Sequence, residues 1–342
     1  MGLDDFMVIV EQPSCWILSD GTIGMEVQCI ALAEALGFEY DKKHIKPYWL
    51  NRIFPRLAKL PGIPLSTNFK QVTSQSAPDI LITCGRRHSG ASIALKRLSK
   101  GTTYTIHIQD PKINPKHFDL LIVPEHDRPR APNIILSNGS LTRITQSILD
   151  KEAQLIKQEV KSLVGKKVAV NIGGDTKDNK VDDETIKKLI LSLNQFSADN
   201  KCSLMITTTN RTSEPLKKAL THLTENPNII LWTGGSRNPY AGFLGIADAI
   251  IVTSDSINMI SEACSTGKPV NIFPLGKNSE KREKFIGSLE KMGVVKYFNG
   301  EYRSWDYEPL NETARVANLI NTKLKEKGII QDAFDTEPGR CP

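Results

Sequence analysis

Residues 250–274 read IIVTSDSINMISEACSTGKPVNIFP. Ile250, Ile251 and Val252 form a short apolar strand that runs into a Ser254-Asp255-Ser256 loop. A helix carrying Glu262 follows, and Gly267-Lys268-Pro269 leads into a second apolar strand, Val270–Phe273. Strand, polar turn, helix and strand in that order are one repeat of a parallel sheet. The small polar residues fall at a helix N-terminus, where backbone N–H groups attract phosphate. Ser254, Ser256 and Asn258 are therefore candidates for phosphate or sugar oxygens, although helix capping alone accounts for one of them. Glu262 lies where a carboxylate can accept hydrogen bonds from a ribose. The stretch suits a sugar-nucleotide site.

The same alternation extends in both directions. An expected strand, Met7–Leu18, is followed by Ser19-Asp20-Gly21-Thr22-Ile23-Gly24 and a helix from Met25 to Leu36 that Gly37 stops. Asp79–Thr83, Thr103–Ile108 and Asp119–Val123 are further strands, and Cys84–Gly90 opens a helix that runs to Leu98. Asn138–Gln158 begins polar and becomes helical. The alternation then restarts with Lys167–Ile172 and the loop Gly173-Gly174-Asp175-Thr176, continuing through Ser203–Thr207 and Asn228–Trp232. Apolar strands without polar alternation imply a sheet covered on both faces. Two successive sets in a chain of 342 residues imply an α/β protein of two doubly wound, Rossmann-like domains facing a cleft. The boundary is expected at 150–165, giving domains 1–155 and 156–330 with a short polar tail, 331–342.

Composition narrows the class. The net charge of +6 is mild for this length and calls for no nucleic-acid partner. The six cysteines form no C-x-x-C pair and sit in apolar contexts, as reduced thiols of a cytoplasmic protein do. The N-terminus MGLDDFMVIV has no basic region of a secretory signal, and position 6 is Phe where a myristoylation signal wants Ser or Thr. No apolar run approaches the roughly 20 residues that span a bilayer. The stretch Lys43–Leu60 combines five Lys or Arg with Tyr48, Trp49, Ile53 and Phe54 and no acidic residue. That composition suits an anionic membrane surface, so a peripheral membrane location is an expectation beside the plainer one of a loop packed on the sheet.

Further candidates stand at strand ends, which form the ligand crevice of an open α/β sheet. Gly21 and Gly24 would permit close backbone approach in an acceptor loop, and Gly173, Gly174 and Gly234 would do the same in the second domain. Arg211 could pair with a diphosphate through its planar fork. Asp20, His107, Asp110, Glu125 and His126 are candidates for a general base, with no spacing that singles one out. No H-x-x-x-H or comparable set appears, so no protein-bound metal is expected. No G-x-G-x-x-G follows the first strand, which ranks a dehydrogenase low.

The segments SDGTIGMEVQCIALAEALG (19–37), IQDPK (108–112), VNIGGDTK (170–177), TTTNRT (207–212), NPYAGFLGIADAIIVTSDSINMISEACSTGKPV (238–270) and SWDYEPLNETARVAN (304–318) carry a family pattern. The chain resembles the mitochondrial fission protein family of plants, named for the elongated-mitochondria phenotype, and its bacterial relatives. The resemblance spans most of residues 8–328. It implies the second major glycosyltransferase fold, in which the C-terminal half binds a nucleotide-sugar and a Glu placed like Glu262 holds the ribose. It also implies a last helix, here Glu312–Lys327, that often crosses back to the first domain. Plant members look like adaptors that bring a dynamin-related GTPase to the mitochondrial outer surface. The chain departs from the pattern at Thr22-Ile23, where bacterial members often show Arg and Pro, and at Asp110, where plant members tend to have His.

The leading expectation is a metal-independent glycosyltransferase. Gly173, Gly174, Arg211, Gly234, Ser254, Ser256, Asn258 and Glu262 would bind the nucleotide-sugar, which is substrate rather than cofactor, and no other cofactor is expected. Asp20 or Asp110 would act as base on an envelope or lipid-linked acceptor held by the Gly21 and Gly24 loop. The alternatives are a non-catalytic adaptor that recruits a protein partner to a membrane and a sugar-nucleotide epimerase.

Overall fold

The computed structural model describes residues 12–46, 68–73, 76–127, 130–177, 179–235 and 237–331. In chain order the elements are β1 (Cys15–Ser19), α1 (Ile23–Ala35), β2 (Tyr40–His44), α2 (Phe69–Val72), β3 (Ile80–Cys84), α3 (Arg86–Leu98), β4 (Tyr104–Ile108), β5 (Leu120–Pro124) and β6 (Ile134–Ser137). They continue as α4 (Gln146–Ile156), β7 (Lys166–Ile172), α5 (Asp183–Asp199), β8 (Cys202–Thr208), α6 (Glu214–Thr221), β9 (Ile229–Trp232), α7 (Tyr240–Ile246), β10 (Ala249–Thr253) and α8 (Ile257–Cys264). The last are β11 (Val270–Phe273), α9 (Glu280–Lys291), β12 (Val295–Tyr297) and α10 (Glu312–Glu326).

The chain divides into two compact units. The first comprises residues 1–137 and 312–342, and the second residues 138–311. The division falls ahead of the expected boundary. Helix α4 belongs to the second unit because it packs on α7, and α10 belongs to the first because it packs on α1 and β6. The α4–α7 contact is intimate. A Cβ on Gly242 would lie 2.7 Å from Ile156 Cδ1, and one on Gly245 would lie 2.5 Å from the Leu149 carbonyl oxygen.

Each unit is built on one six-stranded sheet, and every recorded strand pairing is parallel. The first runs β2-β1-β3-β4-β5-β6 and the second β12-β11-β10-β7-β8-β9. Counted within its own unit, the second sheet has the order 3-2-1-4-5-6 of the dinucleotide-binding fold, and the first begins 2-1-3-4-5 as flavodoxin-like sheets do. Strand order reverses between β7 and β10 in the second unit and between β1 and β3 in the first. Those two switch points are where ligands bind in such sheets.

Successive strand residues of the second sheet serve opposite layers. Ala169, Ile250, Val252 and Ile272 join one buried cluster with α4, α7, α8 and α9. Val168, Val170, Ile206 and Ile251 join another with α5 and α6. The first sheet is covered likewise: Trp16, Leu18, Leu81, Leu121 and Val123 face one side, where Trp16, Leu18 and Leu81 pack with Ala91 and Leu95 of α3, and Ile17, Ile82, Ile106 and Ile122 are buried on the other. Burial on both faces explains why these strands read as continuous apolar runs. The edge strand β2, YDKKH, is charged and half exposed, as edges that resist pairing with other chains are.

Candidate functional site

At the switch point of the second unit the hub is Asp255, a residue outside the expected set. It follows β10, and its side chain is 2% exposed. One carboxylate oxygen accepts the Thr253 hydroxyl at 2.7 Å. The other accepts the Gly174 N–H at 3.1 Å and the Arg211 guanidinium at 2.7 Å. Gly173 N–H donates to Thr253 Oγ1 at 2.8 Å. The Thr212 hydroxyl donates to the Gly173 carbonyl at 2.5 Å, and Asp175 N–H donates to the Arg211 carbonyl at 3.0 Å. The loops after β7 and β8 are thus laced together around one buried carboxylate.

This lacing corrects the reading of the two glycines. Their closeness serves the protein itself rather than a ligand. A Cβ on Gly173 would lie 2.1 Å from Asp255 Oδ2, and one on Gly174 would lie 2.0 Å from the Arg211 carbonyl oxygen. Their N–H groups are committed to Thr253 and Asp255. Arg211, expected to meet a diphosphate, is tethered to Asp255 but remains 39% exposed.

The other expected residues divide by role. Ser254 Oγ accepts the Leu275 N–H, which ties the β10 turn to the chain after β11. Ser256 is the N-cap of α8 and accepts the Met259 N–H. It satisfies one of the four N–H groups that a helix N-terminus leaves without intrahelical partners. Asn258 Oδ1 accepts the Ser140 hydroxyl at 2.6 Å, so it anchors the segment leading to α4. Gly234 lies in an exposed loop at φ 131°, with nothing within 4 Å of its added Cβ, and no recorded contact brings it to the Asp255 cluster.

Glu262 sits in the interior of α8, partly buried, and its Oε2 accepts the Tyr240 hydroxyl at 2.7 Å. Burial pushes its carboxyl up to about 7, against the opposing pull of that hydrogen bond. Burial, followed by the adjacent carboxylate, raises the Tyr240 phenol well above its ordinary range, so it remains a donor.

At the switch point of the first unit Asp20 accepts the Thr22 N–H at 3.1 Å and the Arg87 guanidinium at 3.2 Å. Burial pushes Asp20 upward, but Thr22, His88 and Arg87 together outweigh it and hold the carboxyl below its ordinary value. His88 Nδ1 lies 2.6 Å from the Cys84 carbonyl, which can only accept, so Nδ1 carries the proton. Its Nε2 lies 3.7 Å from Asp20, and burial lowers the affinity of the ring for a second proton. Gly21 donates its N–H to Ser19 Oγ and adopts φ 82°, a turn that suits glycine. Gly24 accepts the Gln28 amide on its carbonyl oxygen.

Asp110 is 8% exposed and is held by the backbone N–H and the ammonium of Lys112. Asp20 is therefore the carboxylate at the switch point, and Asp110 lies one strand further along with its own lysine on it. His107, a base candidate, is a core histidine. It bonds Thr83 at 2.7 Å and stacks on Phe118, and burial followed by His88 drives its affinity for a proton down to about 3. Glu125 and His126 follow β5. Glu125 pairs loosely with Arg130 and is 55% exposed, which leaves it a surface group. Most of Lys43–Leu60 lies outside the described residues. Among those described, no helix is long and apolar enough to cross a membrane, and no group of three or more His, Cys, Asp or Glu could hold a metal ion.

Two Rossmann-like units with polar clusters at both switch points define a protein of the glycosyltransferase-B architecture. Solved structures of this kind are similar throughout the chain. A putative UDP-N-acetylglucosamine 2-epimerase from Listeria monocytogenes gives a TM-score of 0.60 at 12% identity, covering 94% of this chain and 98% of that one. The UDP-GlcNAc 2-epimerase of Methanocaldococcus jannaschii in complex with UDP-GlcNAc and UDP gives 0.54 at 14%, covering 91% and 100%. Residues 23–324 match the family described as Mitochondrial fission ELM1, and the chain belongs to that family. It is 32% identical over 287 residues to the mitochondrial fission protein ELM1 of Arabidopsis thaliana, which covers 76% of this chain and 67% of that protein. It is 27% identical over 350 residues to the protein RP120 of Rickettsia prowazekii, covering 91% and 98%.

Proposed function

We propose that the protein binds a nucleotide-sugar in its second unit and transfers the sugar to an acceptor hydroxyl. The observation that carries this reading is the Asp255–Arg211 clamp standing beside the N-terminus of α8 at the reversal of a 3-2-1-4-5-6 sheet. The exposed side of Arg211 and the first N–H groups of α8 would receive the diphosphate. Glu262 would accept hydroxyl groups of the ribose. Gly173 and Gly174 act indirectly, by leaving room for Asp255 and for the Arg211 backbone. In transfer, a bond forms between the acceptor oxygen and the sugar's anomeric carbon. The bond from that carbon to the diphosphate breaks, and the diphosphate leaves with the electron pair, stabilised by Arg211 and the helix dipole. Asp20 of the first unit would orient the acceptor hydroxyl and take its proton as the new bond forms. Its low proton affinity suits a late transfer better than prior abstraction. The basic and aromatic composition of Lys43–Leu60 favours a lipid-linked acceptor at a membrane surface.

The test is the thermal stability of the purified protein against UDP-, GDP-, ADP- and CMP-sugars, with Glu262→Ala as control. Ligand that binds only the folded state raises its stability by mass action. A selective rise, lost in E262A, supports the reading and names the donor. Product analysis then separates transfer from a second reading, sugar-nucleotide epimerisation. That reading is favoured by the folds of the UDP-GlcNAc 2-epimerases and predicts isomerised donor without any acceptor. No rise with any donor would favour the adaptor role that the fission family suggests, to be pursued by partner capture.

A further inference from the structure

We propose that Tyr240 is the positioning residue of this site, the group that aims the Glu262 carboxylate at the hydroxyl groups of a nucleotide-sugar. The inference rests on the transferase reading and adds to it a residue to which no role has yet been given.

Helix α7, which Tyr240 opens, is fixed at several points. Gly242 and Gly245 let α7 lie directly on α4, so close that a single methyl group at either position would collide with Ile156 or with the Leu149 carbonyl. The Lys268 ammonium closes the other end by donating to the Leu244 and Gly245 carbonyl oxygens, each at 2.6 Å. Asn238 Oδ1 accepts the Tyr240 N–H at 3.0 Å and sets the entry to the helix. Tyr240 therefore presents its hydroxyl from an element that cannot drift. Glu262 has three rotatable side-chain bonds and no such constraint of its own. The 2.7 Å bond from the phenol to Oε2 selects one orientation and leaves Oε1 as the acceptor for a ligand hydroxyl.

The same bond acts on the charge of the carboxylate. Burial favours the neutral acid, which accepts hydrogen bonds poorly, and a phenol donating to the carboxylate opposes it. Tyr240 is the titratable group facing Glu262 from α7. On the neighbouring elements, the Lys268 ammonium and the Tyr307 hydroxyl are committed to backbone carbonyls, and Cys264 is kept in its thiol form by burial. Tyr240 thus opposes burial and favours the anionic form of Glu262.

The experiment is calorimetric titration of UDP-GlcNAc, GDP-mannose, ADP-glucose and CMP-N-acetylneuraminate into the full chain and into Y240F, E262Q, E262D and Y240F/E262Q. Y240F keeps the ring and its packing, and its melting temperature checks the fold. E262D keeps the charge but shortens the reach to Tyr240, so it tests the same link if Y240F folds poorly. For the donor that binds, Y240F and E262D should each weaken affinity about tenfold, the scale of one hydrogen bond to a charged group. The double variant should be no weaker than E262Q, because Tyr240 acts through Glu262. Affinity of the wild type should fall as pH is lowered through about 7, and that fall should move to higher pH in Y240F. Wild-type affinity in Y240F and E262D, or losses that add in the double variant, would overturn the role of Tyr240 while leaving the donor site standing. Absence of binding by the wild type to all four donors would overturn both.

Discussion

Replacing Gly173 with alanine should unseat the carboxylate on which the second unit's switch point is built. The three atoms nearest the new methyl group are Oδ2, Oδ1 and Cγ of Asp255, at 2.1, 2.3 and 2.5 Å. Real Cβ contacts almost never fall below 3.0 Å, so the carboxylate must retreat by about 1 Å. Retreat on that scale breaks the bonds from Gly174 N–H and from the Thr253 hydroxyl, at 3.1 and 2.7 Å. Each is a bond to a charged group, of order 1.5–3 kcal/mol when its loss leaves a buried donor unmatched. The Arg211 pair adds less, about 1 kcal/mol, because that guanidinium is 39% exposed and screened by water. With partial relaxation the expected cost is about 3–4 kcal/mol, or a fall in melting temperature of roughly 6–16 °C for a domain of this size. Gly173 is not among the residues of positive φ, so the cost is steric, and the three atoms nearest the new methyl group all belong to Asp255. Calorimetric melting of G173A, D255A and the double variant checks this. The double variant should melt close to D255A. A cost below about 1 kcal/mol in G173A, or an undiminished cost in the D255A background, would refute the reasoning.

Glu262 carries a carboxyl raised to about 7 from an ordinary 4.5, so its burial favours folding below pH 4.5 and that contribution is lost as pH rises through 7. Relative to E262Q, whose stability lacks this titration, the wild type should lose up to about 3 kcal/mol over that window in urea melts. His107 is the opposite case, a base lowered to about 3 from 6.5, so its contribution is present above pH 6.5 and is lost as pH falls toward 3. H107Q should flatten the acid limb of the first unit's stability curve by up to about 5 kcal/mol, and an unchanged limb would remove His107 as the cause. Asp255→Asn should weaken binding of whichever donor proves active, because Arg211 loses the partner that orients it. Tighter binding in D255N would mean that Asp255 competes with the diphosphate instead.

Much of this architecture is legible in the sequence because its strands are buried on both faces. Ile250–Val252 and Lys167–Ile172 read as strands from apolar, β-branched runs, and the small polar residues after them mark the switch point. What stays hidden depends on contacts between distant segments. Strand β2 has no apolar signal, since an edge strand gains from Lys42 and Lys43 rather than from apolar side chains. The division falls ahead of residues 150–165 because α4, which reads as a plain amphipathic helix, fits against Gly242 and Gly245 of the second unit. Asp255 stands in the Ser-Asp-Ser loop, but its role appears only with Gly173. A glycine whose φ needs no glycine marks a space already filled by another side chain. Tyr240 gives no signal at all, because nothing in its own neighbourhood points to a carboxylate one helix away.

The two units place the same device at their switch points, and the differences between the copies separate their roles. In each, an aspartate just after a strand is clamped by an arginine that follows another strand of the same sheet: Asp20 by Arg87 at 3.2 Å and Asp255 by Arg211 at 2.7 Å. The carboxyl ends of parallel strands collect helix N-termini and arginines, so an empty crevice there is strongly positive, and an internal carboxylate neutralises it in the free protein. Asp255 is sunk beneath two interlaced loops at 2% exposure, so no ligand can displace it without disrupting the fold. On the proposed reading a diphosphate would share Arg211 with it, which a guanidinium with five N–H donors permits. Asp20 is 10% exposed, holds its arginine more loosely and has the neutral His88 behind it. The clamp of the second unit is thus the more deeply buried of the two, and on the proposed reading it would hold the charged donor. On the transferase reading proposed above, the less buried Asp20 of the first unit would be the group that accepts from a hydroxyl.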